Sequence, residues 1–321
     1  WEHCSDIVHA AQDGGFDNVL LPSGYDLGID TLAFASAIAP SITSMKLLAA
    51  IRCGEMWAPQ LARQLATINQ ILNGRLSINI ISSEMPGEAL DGPSRYARTL
   101  ETMTALRTLL SGKRLDIDGE HLQLHVDAPR ICRDSPSTPQ FYFGGLSDEA
   151  RDVAAAGADV YLMWPDTEDV IAETIADLQQ RASTYGRTLK FGYRVHVVVR
   201  ETEDEARSAA AHLISAVDAA TGDAIRSRSL DSTSVGVRRQ AELRESAGND
   251  GFVEPHLWTG IGKARSGCGA AIVGTPQQVI DKIHRYEAMG IEAFIFSGYP
   301  HKDEAERFAD LVLPHLNHGP L

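Results

Sequence analysis

"KFGYRVHVVVRET" (190–202) reads as a β-strand with charge in an unusual place. Side chains alternate along a strand. Tyr193, Val195, Val197 and Val199 therefore share one face, and Arg194, His196, Val198 and Arg200 share the other. Arg194 and His196 point the same way, about 7 Å apart at the rise of a strand. A strand this apolar belongs inside a sheet, so its guanidinium needs a partner there.

The runs around it fix the kind of sheet. "DNVLLPS" (17–23), "MKLLAAIR" (45–52), "LSINIISSE" (76–84), "QFYFGG" (140–145), "ADVYLMW" (158–164) and "EAFIFSG" (292–298) are further strand candidates. Between them lie stretches of helical period, such as "APQLARQLATINQILNG" (58–74) and "SRYARTLETMTALRTLLSG" (94–112). Apolar strands separated by amphipathic helices form parallel βαβ units. The count is seven, whereas a closed parallel barrel has eight strands. Residues 1–14 read as a helix that normally follows a strand. The expectation is an α/β fold, a (β/α)8 TIM barrel with insertions, its first strand lying ahead of Trp1. Residues 1–321 form one domain on this reading. Residues 113–139 depart from the repeat as a small β-excursion with an irregular loop. Residues 201–291 are too long for one helix and form an insertion, with a lid at 248–271.

Composition narrows the function. The chain has 321 residues, 44% apolar and 7% aromatic, with 43 acidic and 29 basic side chains and a net charge of -14. That charge opposes nucleic acid as the main partner. Cys4, Cys53, Cys132 and Cys268 are scattered, without C-x-x-C or metal-ligand spacing, which points to reduced thiols and a cytoplasmic setting. No apolar run reaches membrane-spanning length.

Barrel sites gather at the C-terminal ends of the strands. Those ends carry Ser82, Ser83 and Glu84; Gly144 and Gly145; Trp164; Arg194 and His196; and "SGYPH" (297–301). "FGGLSDEAR" (143–151) has the form of an anion site, two glycines before a helix N-terminus, although Asp148 equally suits a plain N-cap. Trp164 alone reads as core or rim, and Tyr299 and His301 as a turn around Pro300. His196 alone reads as a satisfied core histidine. Arg194 requires either a barrel carboxylate or an anionic ligand. Convergence at one mouth, with Arg265 in the Gly-rich segment, favours an oxyanion such as a sulfonate or phosphate. Neither a P-loop nor a Rossmann fingerprint is present.

"FDNVLLPSG", "NGRLSINIISSE", "FYFGGLSD", "DVYLMWPDT", "FGYRVHVVVRETEDEA", "LWTGIGKARSGCGAAIVGTP" and "FSGYPHKDEAERFADLVLP" resemble, in order and over nearly the whole chain, the alkanesulfonate monooxygenases among the bacterial luciferase-like flavin monooxygenases. The resemblance implies a two-component enzyme of sulfur metabolism. Reduced FMN (FMNH2) from a separate NAD(P)H-dependent flavin reductase, with O2 as co-substrate, would cleave the C–S bond of an organosulfonate to sulfite and an aldehyde or related carbonyl. It implies a sulfonate pocket of Trp164, Arg194, His196, Arg265, Tyr299 and His301. Catalytic duty falls to Arg194, His196, Tyr299 and His301, with the acid unassigned between His196 and His301. It places the FMN phosphate near Gly145, Leu146, Ser147 and Tyr96, and the flavin ring near Ser82 and Ser83. The family uses no metal and forms dimers or tetramers. The loops "YDLGIDT" (25–31) and "MPGEALDGPSRYART" (85–99) depart from the family pattern, which points to a differently shaped substrate. Sulfoquinovose, methanesulfonate and longer alkanesulfonates are the candidates. The alternatives are a monooxygenase of a sulfone or other small molecule, a deazaflavin-dependent oxidoreductase, a non-catalytic anion-binding barrel and a metal-dependent hydrolase.

Overall fold

The structure, a computed structural model, describes residues 1–25, 27–227 and 234–321. Asp26 of the "YDLGIDT" loop and residues 228–233 of the insertion lie outside the described residues. The elements are α1 (Glu2–Asp13), β1 (Asn18–Leu21), α2 (Thr31–Ile38), β2 (Lys46–Arg52), α3 (Ala58–Ile71), β3 (Leu76–Ile81) and α4 (Gly92–Leu110). A hairpin of β4 (Leu115–Asp118) and β5 (Gln123–Val126) and a short helix α5 (Arg130–Asp134) fill the expected β-excursion. Then come β6 (Phe141–Phe143), α6 (Asp148–Gly157), β7 (Val160–Met163), α7 (Glu168–Thr184) and β8 (Lys190–Val199). The long span holds α8 (Glu203–Leu213), α9 (Ala219–Ser227), α10 (Val235–Glu245), β9 (Phe252–Glu254), β10 (Leu257–Trp258), β11 (Ala271–Gly274) and α11 (Pro276–Ala288). The chain closes with β12 (Ile291–Ser297) and α12 (His301–Leu311).

Ten strands join in the main sheet, and β9 and β10 pair antiparallel, which leaves eight parallel strands. The seven strands expected from the sequence are all present, and β11, four residues directly after the Gly-rich segment, is an additional one. β7 and β11 pair with successive stretches of β8, and β12 pairs with β8 alongside both stretches, so β11 belongs to the insertion and the barrel wall consists of β1, β2, β3, β6, β7, β8 and β12. Among the described residues no ladder joins β1 to β12, so the hydrogen-bonded sheet is open there.

Curvature is visible in the packing. Leu48, Tyr142 and Val160 form one cluster with Leu20, Ala293, Ile295 and Leu321. These come from β1, β2, β6, β7, β12 and the chain end, so the sheet curls until its inner faces meet. The outer faces, including Leu47, Ile78, Phe141, Tyr161, Tyr193, Val195 and Val197, pack against the helices in a second and larger cluster. The two faces of β8 separate accordingly. In register, Ile295 lies beside Arg194 and Ser297 beside His196, so both polar side chains share the interior face with Ile295.

β8 has two edges in use. The amides of Lys190, His196 and Arg200 donate to Asp159, Ala270 and Gly274. These amides are of one parity, so β7 and β11 follow each other along one edge and β12 takes the other. β10 and β9 then extend from β11, which suspends the lid segment beside His196.

Lys282 fastens this insertion to the barrel. It is fully buried on α11 and donates to Glu168 at 2.6 Å and to Glu254 of β9. The Glu168 amide donates to Glu254 at 3.1 Å, and the ammonium lies 5.1 Å from the Tyr286 ring centre. Removing one partner of a buried ionic set leaves the others uncompensated. Lys282→Ala is expected to lower stability by about 3–5 kcal/mol, read as a reduced urea midpoint. An unchanged midpoint would show that the network contributes nothing.

Candidate active site

Two arginines on β8 and its end have opposite fates. Arg200 donates two hydrogen bonds to the carboxylate of Glu304 on α12, at 3.0 and 2.8 Å. Glu304 approaches because residue 298 is glycine: a Cβ there would stand 2.5 Å from the Glu304 Cβ. Arg194 has no carboxylate within 4 Å among the described residues. Its Nε is buried and without a hydrogen-bond partner. Burial first, and then the Arg265 charge, lower its pKa, opposed by Cys268 and Tyr299. The barrel-carboxylate explanation of Arg194 therefore has no support, and the anionic-ligand explanation stands.

Arg265 comes in from the Gly-rich segment. Its guanidinium lies 2.9 Å from His196 Nε2 and donates to the Tyr299 hydroxyl at 3.1 Å. A guanidinium only donates, so His196 Nε2 accepts. The proton then resides on Nδ1, which donates to Ser297 Oγ at 2.9 Å. Burial, then Arg265 and Arg194, push the His196 pKa down to about 3. His196 is thus a neutral acceptor in its resting state, with neither ring nitrogen available to give a proton to a ligand. The sequence leaves the acid open between His196 and His301; the hydrogen bonds disfavour His196. The Tyr299 ring stacks on His196 at 5.5 Å and meets His301 edge-on at 4.8 Å. Desolvation, then His3 and Arg265, lower the His301 pKa.

Trp164 follows β7 on the interior side. A Cβ on Gly236 of α10 would lie 3.0 Å from its ring, and one on Gly267 would lie 3.4 Å away. The ring therefore sits between α10 and the Gly-rich segment. α10 is pinned above it: Arg239 holds buried Asp166 at 2.6 and 2.7 Å. Gln240 donates to Pro165 O at 2.7 Å and accepts from the Gly269 amide at 2.9 Å. The structure thus brings His196, Arg265, Tyr299 and His301 into one contact chain, with Arg194 and Trp164 on the same inner wall.

A second crevice opens at β6. Gly144 is forced: a Cβ there would stand 2.1 Å from the Leu162 carbonyl oxygen. A Cβ on Gly145 would lie 2.7 Å from Ala150 and 3.6 Å from the Tyr96 hydroxyl. Ser147, not Asp148, caps α6, accepting from the Ala150 amide at 3.3 Å. Asp148 instead pairs with Arg181 at 2.8 Å. The turn 145–147 offers backbone amides, a serine hydroxyl and Tyr96 to an anion at a ten-residue helix N-terminus. Arg151 close by is committed to Asp177 at 2.8 Å. A phosphate would therefore be held by neutral donors, a donor set that fits the FMN phosphate. Ser82 Oγ lies 3.4 Å from Arg95 O, and buried Ser83 accepts from Arg52.

Gln240, Asp166 and Arg52 were missed in the sequence, and Ser297 was noted at its strand end without a role. Ser297 was legible in principle, since it ends an interior face at the height of His196. The Asp166–Arg239 and Gln240 contacts join segments 73 and 75 residues apart, and no local pattern signals them. Among the described residues no group of three metal-ligating side chains exists, and no helix is long and apolar enough to cross a membrane.

A sequence profile of the luciferase-like monooxygenases matches residues 1–293, and the chain belongs to that family. Among curated relatives, a sulfoquinovose monooxygenase of Novosphingobium aromaticivorans is 61% identical over 328 residues, 100% of this chain and 91% of that one. A sulfoquinovose monooxygenase of Agrobacterium fabrum is 49% identical over 98% of this chain and 83% of its own. Among solved structures, EDTA monooxygenase from Chelativorans sp. BNC1 superposes with a TM-score of 0.78 at 18% identity, over 98% and 85% of the two chains. A long-chain alkane monooxygenase gives 0.77 at 17%, over 99% and 86%. At that identity the likeness is one of fold, the luciferase-like TIM barrel. The protein is an α/β-barrel monooxygenase.

The tautomer of His196 is directly observable. Nitrogen-15 NMR of labelled histidine is expected to show one ring protonated at Nδ1 and constant from pH 5 to 8, because its folded pKa is about 3. The folded value lies below the ordinary 6.5, so the stability it contributes is intact above 6.5 and falls as pH drops toward 3. Titration of this ring between pH 5 and 8 would contradict the assignment.

Proposed function

We propose that the protein is a reduced-FMN-dependent monooxygenase that cleaves the C–S bond of an organosulfonate, with sulfoquinovose the leading substrate. The observation that carries this reading is Arg194, a guanidinium turned into the barrel with no carboxylate and with Arg265 nearby. Two cations around a common space accommodate a tetrahedral oxyanion far better than a neutral sulfone. In a chain of net charge -14, this local excess of positive charge is built by placement. The two relatives named for sulfoquinovose support the choice of substrate.

The residues divide the work by what their atoms can do. Arg194 offers Nε and its terminal nitrogens to the sulfonate. Arg265 neutralises the charge from above, held in place by His196 and Tyr299. Because Tyr299 accepts from Arg265, its own O–H remains free to donate at the reacting centre. Trp164 and the segment pinned by Gln240 exclude water from that centre. Gly145, Leu146, Ser147 and Tyr96 would hold the FMN phosphate, and Ser82 and Ser83 would lie by the ring. Reduced FMN supplies the two electrons and two protons with which O2 is used. A sulfonate R–CH2–SO3−, O2, two electrons and two protons become R–CHO, hydrogen sulfite and water. The C–S bond breaks, one oxygen atom enters the new carbonyl and the other leaves as water. An NAD(P)H-dependent flavin reductase is the source of the reduced flavin.

Turnover with FMN, NAD(P)H, a flavin reductase and air is expected to release one sulfite per sulfoquinovose consumed. Sulfite release from none of a panel of sulfonates would overturn the proposal. Arg194→Met is expected to fold with a thermal midpoint no lower than wild type, since no ion pair is lost. Its sulfite release should fall by about 100-fold or more.

A further inference from the structure

Arg52 ends β2 on the face that Leu48 turns toward the barrel interior. It is 9% exposed. It donates to the Ser83 hydroxyl and, at 3.4 Å, to the Ser23 carbonyl. Its Nε has no hydrogen-bond partner. The nearest carboxylate, Glu55, stands 3.8 Å from that Nε, beyond hydrogen-bonding distance. In the sheet β2 and β8 are separated by β3, β6 and β7. Around a barrel this sets Arg52 across the mouth from Arg194. Neither Arg52 nor Glu55 has a part in the sulfonate chemistry described above.

Glu55 is half-exposed, with 42% of its side chain open. Desolvation raises its carboxyl pKa, against the Arg52 charge and with Asp30 adding to the rise. The loop that carries it is fixed. Gly54 has φ of 102°, and a Cβ there would lie 2.8 Å from the Arg98 guanidinium. Arg98 is bonded to Glu88 at 2.6 Å. Two residues beyond Glu55, Trp57 is the N-cap residue of α3, with 60% of its surface open.

The pair defines its ligand by exclusion. An anion would meet Glu55 and Asp30. An alkyl chain would leave the Arg52 N–H and the Glu55 carboxylate without water and without partners. A hydroxyl both accepts and donates, so neighbouring hydroxyls satisfy both groups. Trp57, open to solvent two residues further along the chain, is a residue type that suits the apolar face of a sugar ring. We infer that Arg52 and Glu55 form a hydroxyl-binding subsite that recognises the non-reacting end of the sulfonate substrate. This rests on the organosulfonate reading given above. It makes the substrate a polyhydroxylated sulfonate held at two ends, by Arg194 at the sulfonate and by Arg52 with Glu55 at the hydroxyls.

The test is steady-state sulfite release from sulfoquinovose by wild type, Glu55→Gln and Arg52→Lys, with FMN affinity measured by fluorescence quenching. The inference expects KM to rise about tenfold or more in both variants, with kcat within about twofold and FMN affinity unchanged. A deoxy analogue lacking the recognised hydroxyl should give wild type and Glu55→Gln the same KM. A wild-type KM in Glu55→Gln, which is on the surface and safe to substitute, overturns the subsite. So does an effect confined to FMN affinity, which would assign Arg52 to the flavin. Absence of sulfite from sulfoquinovose in the wild type overturns the organosulfonate reading and the subsite with it.

Discussion

A guanidinium inside a barrel without a carboxylate beside it is the constraint around which this site is built. Desolvating a charge is costly unless something of opposite sign returns the lost solvation. Arg200, six residues along the same chain, meets that requirement with Glu304. Arg194 does not meet it with any described residue. The neighbours add to the demand: Arg265 brings a second positive charge, and His196 is kept neutral between them. The protein therefore holds a concentration of positive potential that only a bound anion relieves. In the proposed reaction binding and lid placement become one event, because Arg265 would be both the lid's contribution and the ligand's second cation.

His196 shows how the surroundings decide the chemistry of a side chain. Isolated, a histidine beside a flavin site invites the role of acid or base. Here the donor Arg265 on one nitrogen and the acceptor Ser297 on the other fix the tautomer, and burial removes the charged form. The imidazole becomes a strut that positions Arg265. In the proposed reaction proton delivery would pass to groups with an unused O–H or N–H, of which Tyr299 is the one in contact with Arg265.

Much of the barrel is legible in the sequence because its strands are apolar on both faces and its helices have a clear period. β11, a strand of the insertion, escaped because it is four residues long and follows glycines, so neither period nor length marks it. The pairing of 113–139 as a hairpin is legible from its alternation. Within the site, Arg194, His196, Trp164, Tyr299 and His301 are legible because polar or aromatic residues at strand ends are conspicuous against apolar runs. Arg265 was legible by its place in the Gly-rich segment, and the family resemblance gave it a role. The roles of Ser297 and Gln240 were not seen, because their meaning lies in contacts across the fold. Arg52 was read as the last residue of a strand, and its open Nε exists only once β2 is curled toward the interior.

The most direct measurement is a crystal structure of the protein with FMN and sulfoquinovose bound. The account predicts sulfonate oxygens within hydrogen-bonding distance of Arg194 Nε and of Arg265, with no protein carboxylate on Arg194. A carboxylate from the protein on Arg194, or a sulfonate seated elsewhere, would contradict it.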